Sequence, residues 1–336
     1  MVPALAVADA LRSEGAHVVF VGGERAERTL VPEAGYPLEP IAVEGLSRSN
    51  PLKAARAAAK AVAAVGSAAR ILHRVKPDAV MGGGGYVAGP VGFAAVARRT
   101  PLVLTEADSH LGLANRLLAP FARRVCLGFP IAGRDGERYV HTGRPVPPPA
   151  TDRAAARARF GIPPDDRCVL VFGGSLGARS INEAAVQAFA DASYRVLHAA
   201  GARDYAALRE RVPGDGYDLR EYIRDFGDAL LASDLCVARA GGSIFEVAAH
   251  GRPAILVPYP YAAGDHQTAN ARWMEHAGAA IVVDDRELTP ERLRAEVDAL
   301  FGEPERLGSM GRASAALARP DAAQRIAAEL LAAAGA

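Results

Sequence analysis

Val169-Leu170-Val171-Phe172-Gly173-Gly174-Ser175-Leu176-Gly177-Ala178-Arg179 reads as a strand, a glycine-rich turn and the opening of a helix. A short unbroken apolar run bounded by glycine suits a strand covered on both faces, as in a parallel sheet. The glycines let the backbone take positive φ and approach a ligand closely. The helix start then offers unpaired N–H groups and the positive end of the helix dipole, a favourable place for a phosphate. The Ser175 hydroxyl adds a further donor. A strand-to-helix turn without a ligand would use similar residues, so its meaning depends on what surrounds it.

The same alternation repeats on both sides. In the second half, β-branched runs fall at Cys168 to Phe172, Arg195 to His198, Leu235 to Ala238, Ala254 to Pro258 and Ala280 to Val283. In the first half they fall at His17 to Val21, Leu38 to Val43, Ala79 to Met81, Pro101 to Thr105 and Val125 to Leu127. Ala/Leu-rich helical stretches separate most of them. Such alternation predicts parallel sheets with helices on both faces. The expected fold class is therefore α/β, with two Rossmann-like, doubly wound domains. Gly143-Arg144-Pro145-Val146-Pro147-Pro148-Pro149 cannot continue a helix or an interior strand and reads as a stiff linker. The expected domains are 1–146 and 147–318, followed by a closing segment, 319–336, helical from Asp321 to Ala334.

The opening breaks this pattern. Pro3 to Glu14 predicts a helix, with Pro3 in its first turn and Gly15 at its stop. In a doubly wound sheet a strand precedes that helix and lies centrally. Burying about five side chains at roughly 1.5–3 kcal/mol each, such a strand contributes on the order of 10 kcal/mol, comparable to a domain's net stability. The first strand is therefore expected to lie upstream, with Met1 an internal methionine.

Three further turns follow predicted strands. Ala238-Arg239-Ala240-Gly241-Gly242-Ser243-Ile244-Phe245-Glu246 places a carboxylate about one turn into a helix, where it can accept both hydroxyls of a ribose or simply complement the helix dipole. Pro258-Tyr259-Pro260-Tyr261-Ala262-Ala263-Gly264-Asp265-His266-Gln267-Thr268-Ala269-Asn270 leads into a helix that starts with short polar groups suited to sugar hydroxyls; the plainer reading makes Asp265 an N-cap. In the first half, Met81-Gly82-Gly83-Gly84-Gly85-Tyr86-Val87 holds more glycine than a turn needs, given its entropic cost. Beyond it, Leu104-Thr105-Glu106-Ala107-Asp108-Ser109-His110 sets two carboxylates and a histidine at a strand's carboxyl end, where open α/β sheets bind ligands.

Composition narrows the function. Of the 336 residues, 50% are hydrophobic and 23% charged, and Lys+Arg number 39 against 38 for Asp+Glu, so net charge implies no nucleic-acid partner. Cys126, Cys168 and Cys236 are widely spaced in apolar runs and read as buried, reduced thiols of a cytosolic protein. No run reaches the roughly 18 apolar residues of a membrane span, and no signal peptide is visible.

In order, PALAVADAL at Pro3, GGGYVAGP at Gly83, LTEADSHLGLANRLLAPFA at Leu104, TGRPV at Thr142, GGSLGAR at Gly173, ARAGGSIFEVAAHGRP at Ala238 and PYPYAAGDHQTANA at Pro258 resemble the GT-B glycosyltransferases, most closely the MurG-type N-acetylglucosaminyltransferases of peptidoglycan synthesis. The resemblance spans residue 1 to about residue 275. It implies two Rossmann-like domains facing a cleft, and inverting transfer of GlcNAc from UDP-GlcNAc to a lipid-linked MurNAc-pentapeptide, with no metal and no cofactor. By the same resemblance Gly174, Ser175 and Arg179 belong to the diphosphate turn. Ile244 lies near the uracil, Glu246 holds the ribose, His266 and Gln267 read the GlcNAc, and Asn270 supports their helix. The acceptor side would use Gly83, Gly84, Tyr86, Glu106, Asp108, Asn115 and Arg144. The closing helix would cross back to the first domain.

Three departures accompany this. The family's first glycine-rich turn, ending in the histidine usually taken as the base, would precede Met1, which leaves Glu106 and Asp108 as possible catalytic contributors. Thr105-Glu106-Ala107-Asp108 stands where the family commonly has His-Glu-Gln-Asn. Arg144-Pro145-Val146-Pro147 stands where Asn-Pro-Val-Arg is common. A GT-B transferase with another glycolipid or small acceptor, and a catalytically dead sugar-nucleotide-binding relative, are the alternatives.

Finally, Gly45 to Pro77 contains no acidic residue. Lys53, Lys60 and Arg74 share one helical face with Arg56 and Arg70 beside it, while Val62, Val65, Ala69 and Leu72 lie on another. Such a helix suits an anionic membrane surface, here the cytoplasmic face of the plasma membrane, or is an ordinary solvated face.

Overall fold

The computed structural model describes residues 1–23, 26–43, 51–174, 177–212 and 214–335, without the side chains of residues 51–61 and 263. The chain forms two units: Met1–Val146 together with Arg319–Ala336, and Pro147–Ala318.

The first unit runs α1 (Val2–Ser13), β1 (Phe20–Gly22), α2 (Glu27–Glu33), β2 (Leu38–Pro40), α3 (Pro51–Val75), β3 (Val80–Gly82), α4 (Gly85–Ala97), β4 (Leu102–Glu106), α5 (Leu113–Leu118), β5 (Arg124–Leu127) and β6 (Tyr139–His141). All strand pairs are parallel, in the orders β1-β2 and β3-β4-β5-β6. Among the described residues β1 pairs only with β2 and β3 only with β4, so the sheet comes in two pieces. The core forms where Leu102, Leu104, Val125 and Leu127 meet Ala64, Ala68 and Leu72 of α3 and Val91, Ala94 and Ala95 of α4.

Of the apolar face assigned to α3, Leu72 is buried and Val65 and Ala69 pack against the core, but Val62 does not. Val62 is 74% exposed, whereas Ala64, Ala68, Ile71 and Leu72 are buried. At 100° per residue Val62 lies well outside the arc those four define.

The second unit runs α6 (Arg153–Arg159), β7 (Cys168–Phe172), α7 (Arg179–Ala188), β8 (Arg195–Ala199), α8 (Tyr205–Arg209), β9 (Tyr217–Arg220), α9 (Phe226–Ala232), β10 (Leu235–Ala238), α10 (Ile244–Ala249), β11 (Ala254–Leu256), α11 (His266–His276), β12 (Ala280–Val282), α12 (Pro290–Gly302) and α13 (Pro304–Leu317). The chain ends with α14 (Ala322–Ala334), whose Ile326, Leu330 and Ala333 pack with Val7, Val103 and Cys126 of the first unit.

The sheet of the second unit is wholly parallel, in the order β12-β11-β10-β7-β8-β9. From β7 the chain winds outward through β8 and β9, then returns to β7's other side and winds through β10, β11 and β12. The winding reverses between β7 and β10, and the crevice at that switch point is where open α/β sheets bind ligands. The turns after β7, β10 and β11 leave adjacent strands at the same sheet end.

Strands β6 and β9 lie outside the sequence-based expectation. Both are sheet edges with only partly buried residues, so neither carries the apolar run that marks β7. All three cysteines are buried thiols, and burial pushes each up to about 12. Among the described residues no helix is long and apolar enough to cross a membrane.

Candidate functional site

In the second unit the turn after β7 is dictated by glycine. Gly174 and Gly177 have φ of 86° and 76°. A Cβ on Gly177 would sit 2.0 Å from the Ala200 carbonyl oxygen, so only glycine lets the turn lie against β8. Ser175, expected at the diphosphate, lies outside the described residues.

Behind the turn, α7 is fastened by a polar network that sequence reading missed. Asn182, fully buried, donates from Nδ2 to the Ala200 carbonyl at 2.9 Å and to Asp204 Oδ2 at 3.1 Å. Its Oδ1 lies 3.0 Å from Nε2 of buried His198, whose Nδ1 lies 2.7 Å from the Tyr217 hydroxyl. Because Oδ1 can only accept, Nε2 carries the proton and Nδ1 accepts from Tyr217. Burial lowers this imidazole to about 3, so it is neutral. Arg179, expected in the diphosphate turn, directs Nε and Nη2 to Asp204 Oδ1 at 3.0 and 2.9 Å. Against its own burial, Asp204 is held below the ordinary carboxylate range by hydrogen bonds from Arg179 and Arg203. Arg179 thus reinforces the helix start through Asp204.

The turns after β10 and β11 are held together. Helix α10 opens after Ser243 with tight backbone bonds, including Glu246 N–H to the Ser243 carbonyl at 3.0 Å. Glu246 is half-buried in its first turn. Ile244, expected near the uracil, is fully buried. Asn270, 1% exposed, donates from Nδ2 to the Ala240 carbonyl at 3.1 Å, and its buried Oδ1 has no partner among the described residues. The Tyr259 N–H donates to Gln267 Oε1 at 3.0 Å, tying the Pro258–Asp265 loop to the helix that starts at His266. Asp265 does not cap α11 with its side chain. It sits at φ 54°, an uncommon conformation outside glycine, and Oδ1 accepts from the Thr268 hydroxyl at 2.7 Å. Gln267, Asn270 and the Ala240–Ser243 turn are therefore brought together.

In the first unit Gly84 and Gly85 take φ of 77° and 76° between β3 and α4. A Cβ on Gly84 would lie 3.7 Å from Asn115 Nδ2. Glu106, 8% exposed at the end of β4, accepts the Gly112 N–H at 2.8 Å and Asn115 Nδ2 at 2.9 Å on Oε2, and the Asp108 N–H at 3.2 Å on Oε1. Asn115 also donates to the Thr105 carbonyl at 2.9 Å, while its buried Oδ1 has no partner among the described residues. Glu106 is thereby engaged as the organiser of its loop. Gly83 is exposed and Tyr86 half-buried at the start of α4. Arg144 follows Gly143, whose α-carbon packs on Arg319 of the closing segment.

Of the basic residues on α3, Lys53, Arg56 and Lys60 have side chains outside the described residues. Arg70 is exposed and donates to Ser67 Oγ at 3.2 Å, and Arg74 is paired with Glu39.

The comparisons with known proteins agree with this geometry. Residues 1–127 match the glycosyltransferase family 28 N-terminal domain and residues 168–326 its C-terminal domain. The UDP-N-acetylglucosamine--N-acetylmuramyl-(pentapeptide) pyrophosphoryl-undecaprenol N-acetylglucosamine transferase of Moorella thermoacetica is 40% identical, covering 96% of this chain and 93% of that protein. The Salinibacter ruber protein of the same name is 41% identical over 98% and 92%. The crystal structure of Acinetobacter baumannii MurG superposes with a TM-score of 0.80 at 29% identity, covering 98% of this chain and 95% of that one. The calicheamicin glycosyltransferase CalG4, at 20% identity and a TM-score of 0.71, shares the fold. Two parallel-sheet Rossmann-like units, glycine turns at the switch point and similarity over nearly the whole chain lead to one conclusion: the chain belongs to glycosyltransferase family 28, the GT-B enzymes that transfer a sugar from a nucleotide donor.

Proposed function

We propose that this chain transfers GlcNAc from UDP-GlcNAc to the C4 hydroxyl of a lipid-linked MurNAc-pentapeptide pyrophosphate, with inversion, at the cytoplasmic face of the membrane. The observation that carries this reading is the convergence of Gln267, Asn270 and the Ala240–Ser243 turn at the switch-point end of the β7–β12 sheet. It is supported by the shared name of relatives about 40% identical over nearly the whole chain.

In this reading the Gly173–Ala178 turn and the start of α7 receive the diphosphate, Glu246 the ribose, and His266 with Gln267 the GlcNAc. The acceptor hydroxyl attacks the anomeric carbon, the bond to UDP breaks, and a base takes the hydroxyl proton. The departing diphosphate gains charge, which preorganised N–H donors stabilise without having to reorganise. Gly83 to Tyr86 and the Glu106 loop form the acceptor side. Asn115 Oδ1, buried and unpartnered among the described residues, is an acceptor atom awaiting a donor. Arg70 and the neighbouring basic residues of α3 face anionic lipid.

Radiolabelled UDP-GlcNAc offered with a lipid I analogue should yield a labelled lipid product, and titration with UDP should release heat. A folded sample that binds neither UDP nor UDP-GlcNAc overturns the reading.

A further inference from the structure

Arg239 directly follows β10 and is 9% exposed. Its Nη1 donates to the carbonyls of Val257 and Pro258 at 3.1 and 3.2 Å and to Asp285 Oδ1 at 2.5 Å. Its Nη2 donates to Ser180 Oγ at 2.7 Å, and the Ser180 hydroxyl donates onward to the same Asp285 oxygen at 2.6 Å. The Tyr259 ring lies over the guanidinium, 5.4 Å from its centroid. One buried cation therefore joins the segments leaving β10, β11 and β12 to the first turn of α7.

A buried guanidinium is costly to desolvate, and an ion pair around it seldom yields net stability. What this pair does provide is a fixed geometry. Val257 and Pro258 begin the loop whose Tyr259 N–H is gripped by Gln267 Oε1. The path of that loop thus depends on where Arg239 sits. Arg239 in turn is placed by Asp285 and Ser180, which lie on segments that do not themselves carry the sugar-reading residues.

We infer that Asp285 and Ser180 are positioning residues for the donor's sugar: through Arg239 they set the Pro258–Asp265 loop and, with it, Gln267. This rests on the donor reading above. Its consequence is selective. The sugar-reading end of the site should loosen when the Arg239 clamp is cut, whereas the diphosphate turn after β7, held by Asn182 and Asp204, should not.

The test compares affinities for UDP-GlcNAc and for UDP in the parent chain, Asp285→Asn and Ser180→Ala. Asp285→Asn keeps the shape but leaves Arg239 without its anionic partner; Ser180→Ala is the milder cut. The expected result is a roughly tenfold weaker UDP-GlcNAc affinity in Asp285→Asn with its UDP affinity within about twofold of the parent, and a smaller loss of UDP-GlcNAc affinity in Ser180→Ala. Equal weakening of both ligands, or no change in either, overturns the inference. So does tighter binding of both, which would mean that the Arg239 charge acts on the phosphates directly. If the parent itself binds neither ligand, the donor reading fails instead.

Discussion

Lowering the pH from 7 to 4 should unstitch the second unit at His198. The imidazole is fully buried, with both nitrogens committed to neutral-ring hydrogen bonds from Tyr217 and to Asn182. Its ordinary value is 6.5 and burial lowers it to about 3 in the fold. The unfolded chain therefore takes up a proton that the native chain refuses across that interval. The stability carried by the neutral ring is whole above pH 6.5 and is lost as pH falls toward 3, at about 1.4 kcal/mol per pH unit. By pH 4 the loss is about 3 kcal/mol, a large share of a typical domain's margin. Burial also lowers His141 and His250, which adds in the same direction. Equilibrium urea unfolding of the parent and of His198→Gln, repeated between pH 7 and 4, isolates the term. The variant has no ring to titrate, so its stability should fall less steeply by that amount. Parallel slopes in the two proteins would refute the reasoning, and NMR of ring-labelled histidine showing His198 protonated near pH 6 would refute it directly.

Gly177→Ala should destabilise by at least about 2 kcal/mol, since it forces a Cβ against the Ala200 carbonyl at positive φ; thermal unfolding reads this. Glu106→Ala removes the acceptor of hydrogen bonds from Gly112, Asn115 and Asp108, and should cut kcat/KM for the lipid acceptor while leaving UDP affinity within about twofold, as the proposed acceptor and donor sites use different units. Glu246→Ala should weaken UDP roughly tenfold by calorimetry, and an unchanged affinity would remove it from the ribose site. His250 accepts the Ala150 N–H on Nε2 at 3.1 Å, the first N–H after the prolines at 147–149, and donates from Nδ1 to the Glu246 carbonyl at 2.8 Å. Hydrogen exchange at Ala150 should lose protection in His250→Ala, and in the parent only at a pH below the ordinary imidazole range, since burial lowers His250.

How much of this was legible in the residues varies by element. β7, with every side chain apolar and buried, was read to its exact ends, because burial on both faces leaves an unbroken apolar run. β6 and β9 were not, because an edge strand is only half covered and its polar residues resemble a loop. The glycine turns were plain because few other reasons exist to place glycine between a strand and a helix. Glu106 stood out at a strand's carboxyl end, but its engagement with its own loop was not visible, nor was Arg179's turn toward Asp204.

By itself, the sequence determined the alternation of strand and helix, the glycine turns at strand ends and the family, all of which rest on local spacing and backbone preference. Only the tertiary structure decided that the turns after β7, β10 and β11 leave neighbouring strands, since strand order is set by non-local pairing. Only it joined Arg239 to Ser180 and Asp285, 59 and 46 residues away, around one guanidinium. A buried charge must find its partners wherever the fold delivers them, and no periodicity in the chain records where that will be.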